Sequence, residues 1–200
     1  VTGKSIGTAI LTYSMSAGCD VTKVINVVPL PNRFSVTGGG SPCEGSGVPV
    51  GLTGSAVGIN YYLYVGGTMA TGPLSGTGIP LAFGSQTVGG TYTVHATNAS
   101  TGCTDTMNSS AIVNVIPKVY PTVDVTTGSG DTLVCSGATV TLSVATTEEG
   151  STPTYRWDIN GTVGAISKAP YTYIPADGDV VTFTMNSTKM CAVHDIVDRK

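Results

Sequence analysis

Gly90-Thr-Tyr-Thr-Val-His-Ala-Thr-Asn-Ala-Ser-Thr-Gly-Cys103 decides the fold. Tyr92, Val94 and Ala96 alternate with Thr91, Thr93, His95 and Thr97. A two-residue period sends apolar groups to one face of a sheet and short polar groups to the other. The alternation stops at Asn98 to Gly102, a run of turn formers, and a cysteine follows. The stretch predicts one half-buried strand and the turn that ends it.

The same device occurs upstream and downstream. Ala9, Leu11, Tyr13 and Met15 alternate with Ile10, Thr12 and Ser14 ahead of Gly18-Cys19. Val181, Phe183 and Met185 alternate with Thr182 and Thr184 ahead of Cys191. Recurrence on this scale predicts a tandem array. Gly, Thr, Ser and Val dominate the 200 residues, which favours strands joined by tight turns over helices. Lys and Arg number nine against twelve Asp and Glu, a net charge of -3. That balance offers no basic patch for nucleic acid and too little field to steer a ligand. No apolar run approaches the ~18 residues of a membrane helix. The chain opens mid-pattern on Val1-Thr-Gly-Lys, without a charged start before an apolar core, and is expected to be a piece of a longer or processed protein.

Three segments follow from the pattern. Residues 1–30 hold the C-terminal part of a repeat: two strands that are marginal in water without a body to pack on. Residues 32–116 form a complete repeat. Phe34 to Thr37 is its first strand, Val48, Val50 and Leu52 face one way in the next, and Tyr61, Leu63 and Val65 line another. Residues 68–80 read as loops with short strands, and Val113 and Val115 close the unit. Pro117 and Pro121 bracket a stiff linker. Residues 121–200 repeat the plan: Val123 and Val125, then Ala138, Val140, Leu142 and Val144, then Tyr155, Trp157 and Ile159 before an Asn160-Gly161 hairpin signal. Only nine residues follow Cys191, so the closing strand of this unit is expected to be short or absent, leaving an edge open to other chains. Short alternating strands with turn signals every 8–12 residues mark antiparallel β-sandwiches.

Five cysteines spaced among strands, with no C-x-x-C, point to disulfides and an oxidising compartment. Pairing within repeats joins Cys43 to Cys103 and Cys135 to Cys191 and leaves Cys19 over. Pairing across repeats would join Cys19 to Cys43 and Cys103 to Cys135. The first scheme carries a geometric demand, because sandwich topology can put Cys43 and Cys103 at opposite ends while a bond needs Cα atoms within ~7 Å.

Several phrases resemble the immunoglobulin-like repeats of large Bacteroidetes surface proteins, the gliding-type adhesins and similar proteins exported by type IX secretion. Gly7-Thr-Ala-Ile-Leu-Thr-Tyr with Gly18-Cys19-Asp-Val-Thr-Lys and Val28-Pro-Leu-Pro looks like the end of one repeat type. Cys43-Glu-Gly-Ser-Gly-Val-Pro-Val-Gly-Leu with Gly89-Gly-Thr-Tyr-Thr-Val and Thr101-Gly-Cys-Thr looks like a second. Cys135-Ser-Gly-Ala-Thr-Val-Thr-Leu, Tyr173-Ile-Pro-Ala-Asp-Gly-Asp-Val-Val and Cys191-Ala looks like a third. The resemblance implies tandem immunoglobulin-like sandwiches at the cell surface, in a stalk, adhesin or filament. It carries no catalytic residues. It also implies O-glycosylation at Asp-Ser/Thr before an apolar residue, a pattern met at Thr106 and Thr132.

Other chemistry is hard to assemble. His95 and His194 have no second His or Cys at ligand spacing, Asp177-Gly178-Asp179 reads as a turn, and Asp124, Asp131 and Glu149 are scattered. No catalytic residue, metal or cofactor is expected. Trp157 belongs in a core. Tyr62 and Tyr64 point opposite to Tyr61 and Leu63 and are the candidate contact residues, since exposed tyrosines make good interfaces. The sequence therefore predicts an extracellular structural module whose partners are other repeats of the same or neighbouring chains. A binding module for surface glycans or proteins is the alternative, and a filament subunit assembled by strand addition is a further one.

Overall fold

A computed structural model describes residues 2–15, 18–128, 130, 133–194 and 196–199. The chain divides into two units, Val1–Val115 and Ile116–Lys200. Both are all-β and antiparallel, and the fold is that of tandem immunoglobulin-like sandwiches.

Unit 1 begins with a hairpin, β1 (Gly7–Ser14) against β2 (Asp20–Val27), in a register running from Gly7 opposite Val27 to Ser14 opposite Asp20. That register collects Ala9, Leu11, Tyr13, Val21, Ile25 and Val27 on one face, with Lys23 among them opposite Leu11. Leu11, Tyr13 and Val21 are exposed, at 56, 68 and 64%.

The body of unit 1 is two sheets. One has the order β3-β4-β7, with β3 Val36–Gly38, β4 Val48–Leu52 and β7 Leu81–Gln86. The other has the order β10-β8-β5-β6, with β5 Ile59–Val65, β6 Thr68–Ser75, β8 Gly90–Asn98 and β10 Ala111–Val113; β9 (Thr104–Thr106) also pairs with β8. The inward residues of β8 and β5 are those the alternation selects. Tyr92, Val94, Ala96, Tyr61 and Leu63 are buried against Val36, Val50, Leu52 and Phe83 of the facing sheet. The two buried tyrosine hydroxyls are satisfied: Tyr92 donates to the Val88 carbonyl at 2.8 Å and Tyr61 accepts the Ala56 N–H at 2.9 Å. Residues 68–75, expected as loops with short strands, form the eight-residue β6. It is an edge strand with register shifts, where Pro73 costs no ladder bond on its open side.

The sheets are tied at one edge by the segment 35–40. Ser35 bridges to Asn108 and Gly40 to Val113, while residues 36–38 between them pair with β4.

Unit 2 repeats the plan. β11 (Thr122–Thr127), β12 (Val140–Thr147) and β15 (Tyr171–Tyr173) form one sheet in the order β11-β12-β15. β13 (Thr154–Ile159), β14 (Thr162–Ala165), β16 (Val181–Asn186) and β17 (Ile196–Arg199) form the other in the order β14-β13-β16-β17. Trp157, Phe183 and Met185 are fully buried. Asn160 and Gly161 turn the β13–β14 hairpin with φ of 52° and 79°, the left-handed pair that a two-residue turn of this kind requires. The closing strand is present and short: β17 pairs with β16 from Asn186 opposite Ile196 to Phe183 opposite Arg199.

The cysteines correct the within-repeat pairing. Cys103 and Cys135 are free thiols, as is Cys19, while Cys43 and Cys191 are disulfide-bonded. The reason is which end of its own unit each cysteine occupies. Cys43 follows Gly40, which bridges to Val113 opposite Gly90, the first residue of β8. Cys103 lies beyond the last residue of β8, its carbonyl accepting the Asn98 N–H at 2.8 Å. Nine residues of strand separate the two, about 25–30 Å at ~3.3 Å each. In unit 2, Cys135 precedes β12, while Cys191 accepts the Val119 N–H at 3.1 Å, beside the start of β11 and so at the Thr147 end of β12. Neither expected bond can close across such a span.

Candidate functional site

The outer face of the β5–β8–β9 ribbon gathers the candidate contact residues. Register places Tyr62 opposite His95 and Tyr64 opposite Thr93. On the other side of β8, His95 lies opposite Thr106 and Thr97 opposite Thr104. Tyr62 and Tyr64 are half-buried, with their faces away from the core that Tyr61 and Leu63 fill. The Tyr64 ring meets the His95 ring edge-on, with centroids 4.8 Å apart at 74°. His95 Nδ1 is 3.2 Å from Thr106 Oγ1. The result is a shallow groove of about 480 Å³, lined by the two tyrosines, His95 and the hydroxyls of Thr93, Thr97 and Thr104. No charged side chain lines it.

The groove has a fixed rim. Arg33 grips Asp105 with two charge-assisted bonds, Nε to Oδ2 at 2.8 Å and Nη2 to Oδ1 at 2.7 Å. The hydrogen bond from Arg33 leads in holding the Asp105 carboxyl below the usual carboxylate range. Asp105 Oδ1 also accepts the Thr106 N–H at 2.8 Å, so the short β9 is anchored to the segment preceding β3. Thr106 is exposed and borders the groove. Thr132 lies outside the described residues.

The remaining sequence candidates resolve into structural roles. The Asp179 carboxylate caps the Ala176 N–H at 2.8 Å and accepts from Asn160 Nδ2 at 2.8 Å, while Asn160 Oδ1 accepts the Val180 N–H at 2.9 Å. This is a turn clasped to a hairpin. Among the described residues no three His, Cys, Asp or Glu groups are placed to hold a metal ion.

Glu149, scattered in sequence, is the centre of a cluster. Its carboxylate accepts from Lys168 Nζ at 2.7 Å, from the Tyr155 hydroxyl at 2.7 Å and from the Thr146 hydroxyl. The hydrogen bond from Lys168, followed by those from Thr146 and Tyr155, draws its pKa down from 4.5 to about 2. Burial, together with the carboxylate beside it, pushes Tyr155 up to about 12. The cluster ties the turn after β12 to β13 and to the loop after β14. A depressed folded pKa contributes stability that is complete above the unfolded value and lost as pH falls through the folded one. Unit 2 is therefore expected to lose stability between about pH 4.5 and pH 2 in acid titration followed by Trp157 fluorescence. Glu149→Gln should flatten that slope. The carboxylate is about one-third exposed, so raised salt should flatten it too. An unchanged slope in Glu149→Gln removes the assignment.

The tyrosines were legible from alternation alone. Their companions Thr93, His95, Thr97 and Thr104 were not, because the β5–β8–β9 register that brings them together is a long-range pairing.

No family model matches the chain, and no curated protein matches it. Among solved structures it is similar to the fibronectin(III)-like modules of Clostridium thermocellum CbhA, with 15% sequence identity and a TM-score of 0.30 over 82% of this chain and 91% of that one.

Proposed function

We propose that this chain is an extracellular structural module of a surface stalk, adhesin or filament built from immunoglobulin-like repeats. The observation that carries the reading is the repetition of one sandwich plan with disulfide-bonded cysteines. Each unit closes its own core between two sheets, and Cys43 and Cys191 are oxidised, as cysteines are outside the reducing cytoplasm. The β1–β2 hairpin supports a further unit in the series. It has the place of β8 and β16 in the repeat, ahead of and behind a turn cysteine, and presents the face that a three-stranded sheet covers in each of the other units. The resemblance of the repeat phrases to Bacteroidetes surface proteins assigns the same setting, with type IX export as the route. No catalytic role is assigned.

Surface labelling tests the location. A membrane-impermeant amine reagent applied to intact cells that make the protein should modify the exposed Lys4, Lys23 and Lys168. Labelling that appears only after lysis overturns the reading.

The groove favours a second reading, a binding module. Half-buried tyrosine rings bordered by hydroxyls can stack on the apolar face of a sugar or a side chain and hydrogen-bond its rim. Tyr62→Ala with Tyr64→Ala should weaken binding on a glycan array or to intact cells by about tenfold or more, as the loss of two aromatic contacts of roughly 1 kcal/mol each implies. Unchanged binding removes this face as the site.

A further inference from the structure

We propose that the outer groove of unit 1 holds a neutral pyranose glycan, its sugar faces on Tyr62 and Tyr64 and its hydroxyls on His95 and the threonines. The ligand class rests on the binding reading of this face and narrows it to one chemistry.

The aromatic floor is set before any ligand arrives. Tyr62 and Tyr64 stand at alternate positions of β5 and so share one face of the sheet. The Tyr62 ring lies beside Gly72 of β6, where a Cβ would come within 3.2 Å of its Cδ1. The Tyr64 ring is held on the β8 side by the edge-on His95. Rings fixed in this way lose little conformational freedom when a ligand covers them.

Charge narrows the ligand. Tyr62, Tyr64, Thr93, His95, Thr97 and Thr104 line the groove beside Gly67, with no Lys, Arg, Asp or Glu among them. The Arg33 and Asp105 charges at its rim are paired with each other. A carboxylate, sulfate, phosphate or ammonium group seated here would give up water and gain no counter-charge. Strand addition by a peptide has no foothold either. β5 is paired to β6 and β8, and β8 to β5 and β9, so the strands under the groove have no open edge.

What fits is a ligand with apolar C–H faces and a rim of neutral donors and acceptors. A pyranose has both. Its C–H face lies on a tyrosine ring, and each of its hydroxyls donates and accepts as a threonine hydroxyl does. His95 suits the same partner. Thr106 Oγ1 lies 3.2 Å from Nδ1, which leaves Nε2 for the ligand. A sugar hydroxyl meets Nε2 in either tautomer, donating to the bare nitrogen or accepting from the protonated one.

The test is the purified chain titrated with maltohexaose, cellohexaose, laminarihexaose and mannohexaose, with hexagalacturonate and the chitosan hexamer as acidic and basic counterparts. Tyrosine ring signals in NMR report the site. At least one neutral hexamer should shift the Tyr62 and Tyr64 signals, with an affinity that added salt leaves unchanged. The charged hexamers should bind about tenfold more weakly or not at all. Tyr62→Phe with Tyr64→Phe keeps the rings and should hold the affinity within a few-fold, whereas the two alanines should lower it by about tenfold or more. His95→Leu should weaken binding and His95→Gln should restore part of it, both at the wild-type melting temperature. Three results overturn the assignment: no neutral hexamer shifts the tyrosines, a charged hexamer or a peptide binds this face more tightly, or His95→Leu and His95→Gln behave alike. The binding reading fails differently, when the chain with both tyrosines replaced by alanine binds intact cells as well as the wild type does.

Discussion

Trp157→Ala unfolds unit 2 and leaves unit 1 folded. Trp157 is fully buried, sits edge-on to Phe183 with centroids 4.6 Å apart and stacks on Tyr171 at 5.9 Å. Truncating such a residue costs about 3–5 kcal/mol through lost transfer energy and the cavity left behind. Unit 2 has little to absorb that. Its buried cluster among the described residues is Val123, Leu142, Trp157, Phe183 and Met185, against thirteen residues in unit 1. A domain of this size has roughly 4–13 kcal/mol in total, at ~0.05–0.15 kcal/mol per residue. Limited proteolysis of Trp157→Ala should cut throughout 116–200 and spare a fragment close to 1–115.

Trp157→Phe should be far milder. The indole Nε1 is buried without a hydrogen-bond partner, and removing an unsatisfied donor recovers part of what the smaller ring forfeits. Equal losses in the two variants would mean that the indole N–H finds a partner in solution. A protease-resistant 116–200 in Trp157→Ala would mean that the core does not turn on this ring.

The contrast between the two cores marks what the sequence could convey. Period-two alternation names the buried residues of β5, β8, β13 and β16 because each strand has one dry face, and that is a local property. It also places Tyr62 and Tyr64 on the outer face. It does not carry the ends of the strands. Cys43 and Cys103 are sixty positions apart and look like partners, yet which end of the sandwich each reaches depends on the direction of every strand between them. The Glu149 cluster was hidden for a related reason. Its partner Lys168 is 19 residues away across the β13–β14 hairpin, and no spacing rule spans that distance. The Gly, Pro and Thr content of residues 68–80 reads as loops with short strands, whereas an edge strand such as β6 tolerates Gly72 and Pro73. Local pattern thus reports faces, and long-range pairing decides neighbours.

Gly38→Ala is the substitution expected to damage unit 1 most for its size, because two independent costs meet there. Gly38 ends β3 with φ of 92°, a conformation that strains any residue with a Cβ by about 1–3 kcal/mol. A Cβ at that position would also lie 1.9 Å from the Pro49 carbonyl oxygen and 2.9 Å from its carbon, both backbone atoms of the paired strand. No rotamer relieves such a collision, so β3 must part from β4. Gly39 donates its N–H to that same Pro49 oxygen at 3.1 Å, and Gly40 exchanges bonds with Ile112 and Asn114 at 2.9 Å each. Moving β3 therefore pulls on the segment that ties the two sheets together. Gly58→Ala separates the two costs, since Gly58 has φ of 81° but nothing within 4 Å of the added carbon. Gly58→Ala should lower the stability of unit 1 in urea by the strain alone, about 1 kcal/mol, and Gly38→Ala by more than about 3 kcal/mol. Similar midpoints for the two variants would show that β3 can leave β4 without cost, and that the tie through residues 35–40 does not hold the sandwich closed.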